Sequence, residues 1–173
     1  MGPYKKHWCA LIGVCIVMFS LLGYFGAEVY RSAPPIPNQV STASGQKLFT
    51  QDDILDGQTA WQSVGGMELG SILGHGAYQA PDWTADWLHR GLLAWLEMAA
   101  QTQYQKPYAQ LSKAEQGTLQ SALQDEYRQA RPDANGVVHI SDRRAKAIAE
   151  VAAYYDKLFS ADPSMHETRV HYA

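Results

Sequence analysis

The sequence predicts a mainly α protein, with one N-terminal transmembrane helix carrying a small helical domain. Three observations lead there. Residues 8–27 hold no charged side chain, and at about 1.5 Å per residue they reach across a hydrocarbon core of about 30 Å. Beyond residue 49, apolar side chains recur at helical spacing in four segments. Capping residues such as Thr50, Ser112 and Ser141 stand ahead of these segments, and Gly or Pro follows them.

The anchor is oriented by its flanks. Lys5 and Lys6 precede the apolar run and Glu28 follows it. The positive-inside rule then places residues 1–7 in the cytoplasm, a single span at 8–29, and the remainder on the far side. Trp8 at one end, and Tyr24 and Tyr30 at the other, suit the two interfaces with lipid. A cleaved signal peptide would have an apolar region of about 7–15 residues and an A-x-A-like site. Here the run is longer, and the nearest small pair, Ser32-Ala33, leads into Pro34. A retained anchor is therefore expected. Pro34, Pro35 and Pro37 fix φ and extend their predecessors, so residues 30–48 read as a stiff linker and 49–173 as the folded domain.

Composition excludes some functions. The net charge of -3 leaves no basic footprint, so nucleic acid is not an expected partner. Cys9 and Cys15 both fall within the apolar run. The outer domain thus has no thiol for a disulfide, and none for a covalently attached haem, which takes a CxxCH motif.

The first helix of the outer domain starts at Thr50-Gln51-Asp52-Asp53, with a capping threonine and acidic residues at the positive helix end. Ile54, Gly57, Gln58 and Trp61 keep helical spacing, and Gly65-Gly66 ends it. The second begins near Thr84, with Trp83, Trp87, Leu88, Leu92, Trp95, Leu96 and Ala99 as an apolar stripe. Ser112-Lys113-Ala114-Glu115 is a capping box opening the third, with Leu119, Ala122, Leu123 and Tyr127 lining one face. Arg131-Pro132 ends it, and Asn135-Gly136 is a turn. Residues 137–140 alternate enough for a short strand or an extended arm. Ser141 caps a fourth helix with Ala145, Ile148, Ala152, Tyr155 and Phe159 on its buried side, closed by Asp162-Pro163.

Between the first two helices lies a loop punctuated by Gly65, Gly66, Gly70, Gly74 and Gly76, too many glycines for a helix or an ordinary strand. Glycines beside His75 permit close backbone approach to a ligand or another chain. Backbone carbonyls, Tyr78 and Asp82 are oxygen donors of the kind a hard cation takes. The same glycines also suit a turn packed over the helices with its aromatics in the core.

The run Gly74-His75-Gly76-Ala77-Tyr78-Gln79-Ala80-Pro81, the flanking residues 70–90, the segment Tyr30-Arg31-Ser32-Ala33-Pro34-Pro35-Ile36-Pro37 and Leu48-Phe49-Thr50 together resemble the N-terminal region of quinol-dependent nitric oxide reductases. These are single-chain members of the haem-copper oxidase superfamily. The resemblance implies a cytochrome-c-like helical domain without haem, facing the periplasm from an anchor in the bacterial inner membrane. Relatives that use cytochrome c carry a CxxCH motif just before the Gly-x-Gly-Ala-Tyr segment. Aligned on Gly74-His75-Gly76-Ala77-Tyr78, Gly66 and Leu69 fall at the two cysteines and Gly70 at the haem-ligand histidine. Trp83 and Trp87 would then fill space that a haem would occupy. Gly76 and Tyr78 become candidate calcium contacts through backbone carbonyls, and His75 and Asp82 candidate contacts to the catalytic part. Leu73 departs from the family, where tryptophan is expected in many members, and so does Gly91, which loosens the second helix by about 1 kcal/mol relative to Ala.

The implied function is that of anchor and scaffold in an enzyme that reduces nitric oxide to nitrous oxide with quinol electrons. The haem b groups and non-haem iron of that enzyme belong to a multi-span catalytic bundle, the expected partner, with no cofactor in this chain beyond calcium at the interface. One span and no histidine array imply a chain inactive alone: a fragment, a truncated reading frame, or the small subunit of a split protein. The alternative is a stand-alone anchored binding module. His7, His89, His139, His166 and His171 lack metal-ligand spacing. Asp82 and Asp86, one helical turn apart, read as helix-start residues rather than an acid–base pair. No nucleophile–base arrangement is visible.

Overall fold

The computed structural model describes residues 4–32, 36–77 and 81–172. The chain divides into two compact units, Met1–Ile36 and Pro37–Ala173. The first is helix α1 (Lys5–Ser32). It is long and apolar enough to cross a membrane, and none of its residues is buried. Leu11, Ile12, Val17, Phe19 and Leu22 are all exposed, unlike the side chains of a soluble core helix.

The second unit opens with strands β1 (Gln39–Thr42) and β2 (Lys47–Thr50), followed by α2 (Gln51–Ser63). Thr50 accepts from the Asp53 amide while Asp53 accepts from the Thr50 amide at 2.7 Å, a reciprocal cap. Helix α3 (Trp83–Tyr104) is capped by Asp82, and so begins one residue earlier than the expected start near Thr84. Helix α4 (Lys113–Gln129) has the expected Ser112–Glu115 box. Two short strands, β3 (Ser71–Ile72) and β4 (His75–Gly76), lie between α2 and α3. Strand β5 (Val137–Ile140) leads into α5 (Asp142–Phe159), capped by Ser141, and α6 (His166–Tyr172) follows a turn capped by Asp162.

Residues 39–42, assigned to the linker from the sequence, instead form the central strand of a three-stranded sheet ordered β2-β1-β5. Strand β1 pairs antiparallel with β2 and parallel with β5, with Val40 opposite Val138 and Thr42 opposite Ile140. A parallel partner must be reached through a crossover, and here the intervening chain supplies α2, α3 and α4. The β1 segment therefore becomes a strand only through residues far away in sequence.

The core sits where α3 packs on α4 and α5. Trp95, Leu96, Ala99 and Ala100 of α3 meet Leu111, Leu119 and Leu123 on the α4 side and Ala147 of α5. Trp95 donates its indole N–H to Glu126 at 2.9 Å, and the other Glu126 oxygen accepts from the Ser141 hydroxyl at 2.7 Å. One carboxylate thus joins α3, α4 and the start of α5. One apolar face differs from expectation. On α5 the fully buried residues are Ala147, Val151 and Leu158, whereas Phe159 is exposed. On α4, Leu119 and Leu123 are buried and Ala122 is exposed.

Candidate functional site: a hairpin held by a helix cap

The glycine loop is more ordered than its composition implies. After α2, Gly66–Glu68 makes one 3-10 turn. Strands β3 and β4 then form a hairpin, with Ser71 opposite Gly76 and Ile72 opposite His75. Its two-residue turn is Leu73-Gly74, and both residues have positive φ, 52° and 77°. Positive φ at both central positions is the mark of a type I′ turn, whose twist suits a tight hairpin. Glycine takes this conformation without strain; leucine does not. The Leu73 side chain is 72% exposed.

Asp82 organises the site. Its Oδ1 accepts the Ala85 amide at 2.9 Å, capping α3. Its Oδ2 accepts the Gly74 amide at 2.8 Å and the Ser71 hydroxyl at 2.6 Å. Thr84 adds an acceptor for the Leu73 amide at 3.0 Å, and the Ser71 amide donates to the Pro81 carbonyl at 3.1 Å. The Ser71 hydroxyl, then the Ala85 and Gly74 amides, hold the Asp82 carboxyl below the usual carboxylate range. Both oxygens are engaged inside the chain, so Asp82 holds the hairpin rather than reaching outward from it.

The other expected site residues fall as follows. His75 lies on β4 and is exposed. Gly76 has φ +139°, and a Cβ there would meet the Gly70 carbonyl oxygen, the Met67 carbonyl oxygen at 3.0 Å and Ser71 Cα at 3.0 Å. Its glycine identity therefore follows from close packing inside the loop. Tyr78, the second candidate calcium contact, lies outside the described residues. Among the described residues, no group of three His, Cys, Asp or Glu side chains could hold a metal ion. An oxygen site here would rest on backbone carbonyls and on donors from elsewhere.

Asp86 does not pair with Asp82. It accepts from Arg90 Nε at 2.7 Å and from the Tyr155 hydroxyl at 2.6 Å. Burial works against its charge, but those two partners outweigh it and hold the carboxyl below its usual range. Burial, then the hydrogen bond to Asp86, pushes the Tyr155 hydroxyl well up.

Sequence reasoning missed two features. Ser41, His139 and Asp133 come together across the sheet, with His139 Nδ1 3.3 Å from Ser41 Oγ and Nε2 3.5 Å from Asp133. Ser41 is buried, and the Asp133 Oδ1 is occupied by the Asn135 and Val137 amides. These contacts tie the ends of the strands together. The second feature is the packing of indoles on glycines. A Cβ on Gly66 would meet the Trp61 ring, and one on Gly70 would meet Trp83. The signal was the pairing of clustered glycines with clustered tryptophans. Trp83 is buried, whereas Trp87 is 36% exposed and stacks on Tyr155 at 5.6 Å.

Residues 37–173 match the family model of the cytochrome c-like domain of NorB, a nitric oxide reductase subunit. No curated protein matches the chain. The match takes in all three strands of the larger sheet, the hairpin, Asp82 and α2 to α6. Over this stretch the chain belongs to the NorB cytochrome c-like domain family of nitric oxide reductases.

Proposed function

We propose that the chain is the membrane anchor and haem-free periplasmic scaffold of a quinol-dependent nitric oxide reductase, whose complete form converts two nitric oxide molecules to nitrous oxide and water. The observation that carries this reading is the hairpin itself. It is fixed through Asp82 to the N-terminus of α3, and it presents Leu73 and His75 outward. Its carboxylate is consumed in holding the loop, and among the described residues nothing beside it resembles a nucleophile and its base. Such a site presents a surface and does not turn over substrate. Calcium, with Gly76 and Tyr78 among its contacts, would sit where this surface meets the catalytic helices, which would supply the remaining oxygens. The apolar helix α1 would hold the domain at the inner membrane, with the Lys5/Lys6 end in the cytoplasm.

The test is to express the chain alone and together with the family's catalytic helix bundle as a separate chain. Quinol-dependent nitric oxide consumption is expected only on co-expression. Consumption by the chain alone would sink the scaffold reading, and failure to co-purify with the bundle would move weight to a stand-alone module. A c-type pyridine haemochrome from the purified chain would overturn its haem-free character. A reporter fused after Ala173 should be active only if that end is periplasmic.

A further inference from the structure

Protein interiors are close-packed. A cytochrome c-like domain without its prosthetic group must therefore fill that volume with side chains. Thioether attachment has no donor here, since no cysteine follows Cys15. The resemblance drawn from the sequence, aligned on Gly74-His75-Gly76-Ala77-Tyr78, implies that Gly66 stands at the first cysteine and Gly70 at the haem-ligand histidine. Each is covered by an indole. A Cβ on Gly66 would come within 2.8 Å of Trp61 Cε3 and nearer still to Cδ2 and Cε2. A Cβ on Gly70 would lie 2.6 Å from both Trp83 Cδ1 and the Pro81 carbonyl oxygen. Any side chain at either position displaces an indole or breaks the turn.

The two indoles belong to a second aromatic core. Trp61 and Trp83 meet edge to face at 6.3 Å, Trp83 and Phe159 lie 5.6 Å apart, and Tyr155 stacks on Phe159 at 6.0 Å. This core shares no residue with the buried cluster around Trp95 and Leu119. What remains open beside it is an apolar groove of about 330 Å³. The Trp61 indole N–H is buried and has no hydrogen-bond partner among the described residues. An indole engaged in a polar network has its N–H satisfied; this one supplies volume.

We infer that the Trp61–Trp83 pair stands in the haem position and closes it, so that the domain excludes haem sterically as well as lacking its attachment residues. The inference rests on the haem-free reading above. Its test is a titration of hemin into the full chain in detergent, read by the Soret band, with both tryptophans intact or replaced (W61A/W83A). The replaced chain should gain a saturable band with affinity raised by about tenfold or more. A native chain that binds hemin equally well overturns the inference. So does a W61A/W83A chain with native helical circular dichroism that binds no better. Should that variant not fold, G66A compared in the native and W61L backgrounds decides, because a Cβ on Gly66 would meet the Trp61 ring. The substitution should lower the melting midpoint markedly in the native chain and far less beside W61L; equal losses overturn the seating of Trp61 on Gly66 and the inference with it. The haem-free reading fails separately, on covalent haem in the native chain as isolated.

Discussion

Asp82 Oδ2 lies 2.8 Å from the Gly74 amide, so the residue that caps α3 also holds the tip of the β3–β4 hairpin. Its carboxyl titrates below the usual range because the Ser71 hydroxyl and the Ala85 and Gly74 amides favour the anion. A depressed folded-state value means the stabilisation is present above the unfolded value of about 3.9 and is lost as pH falls through the folded one. The hairpin should therefore loosen below about pH 4. Asp82→Asn should remove this acid-sensitive part and lower stability at neutral pH. Amide exchange at Leu73 and Gly74, followed from pH 6 down to about pH 3 in both proteins, measures it; identical profiles would refute the assignment.

Leu73 holds φ at 52° with its side chain exposed. Asparagine tolerates that conformation and favours type I′ turns. Leu73→Asn should raise stability by about 1 kcal/mol, since little burial is lost. Urea unfolding of the chain checks this. If Leu73 contacts a catalytic bundle, the same variant should weaken co-purification while stabilising the chain alone.

Gly91 sits inside α3, and a Cβ there would meet nothing within 4 Å. Gly91→Ala should stabilise the domain by about 1 kcal/mol through helix propensity. A drop in the thermal midpoint would refute this.

Tyr155 ties α5 to α3 through its hydroxyl, 2.6 Å from Asp86. Tyr155→Phe keeps the rings stacked and removes that bond. The loss should be about 1 kcal/mol, below the usual range for a bond to a charged group because the pair is partly solvated. The raised hydroxyl value carries a pH signature: its stabilisation is complete below the unfolded value of about 10 and disappears only as pH rises through the higher folded value. The wild-type advantage over Tyr155→Phe should shrink above about pH 10 and not below it.

Leu119 is fully buried at the centre of the α3–α4 contact. Leu119→Ala should cost about 2–5 kcal/mol, removing transfer energy and leaving a cavity. A change below about 1 kcal/mol in chemical denaturation would mean that the cluster repacks.

The sequence by itself determined the features that depend on near neighbours. Helix α1 follows from an uncharged run. The caps at Thr50, Ser112 and Ser141 follow from side chains that reach amides within three residues. Strand β5 and the turn before it were legible in alternation and in Asn135-Gly136. Only the tertiary structure decided what depends on distant partners. Residues 39–42 become a strand because residues 137–140 complete the ladder beside them. The face that α5 buries, Ala147, Val151 and Leu158 rather than Phe159, is selected by what α3 covers. At the hairpin the division is sharpest. The glycines announced close approach, but what approaches, the indoles of Trp61 and Trp83 and the Asp82 carboxylate, lies several residues away in the chain and within contact distance only in the fold. Local spacing records the conformations a segment can adopt, and packing between segments selects the one that is kept.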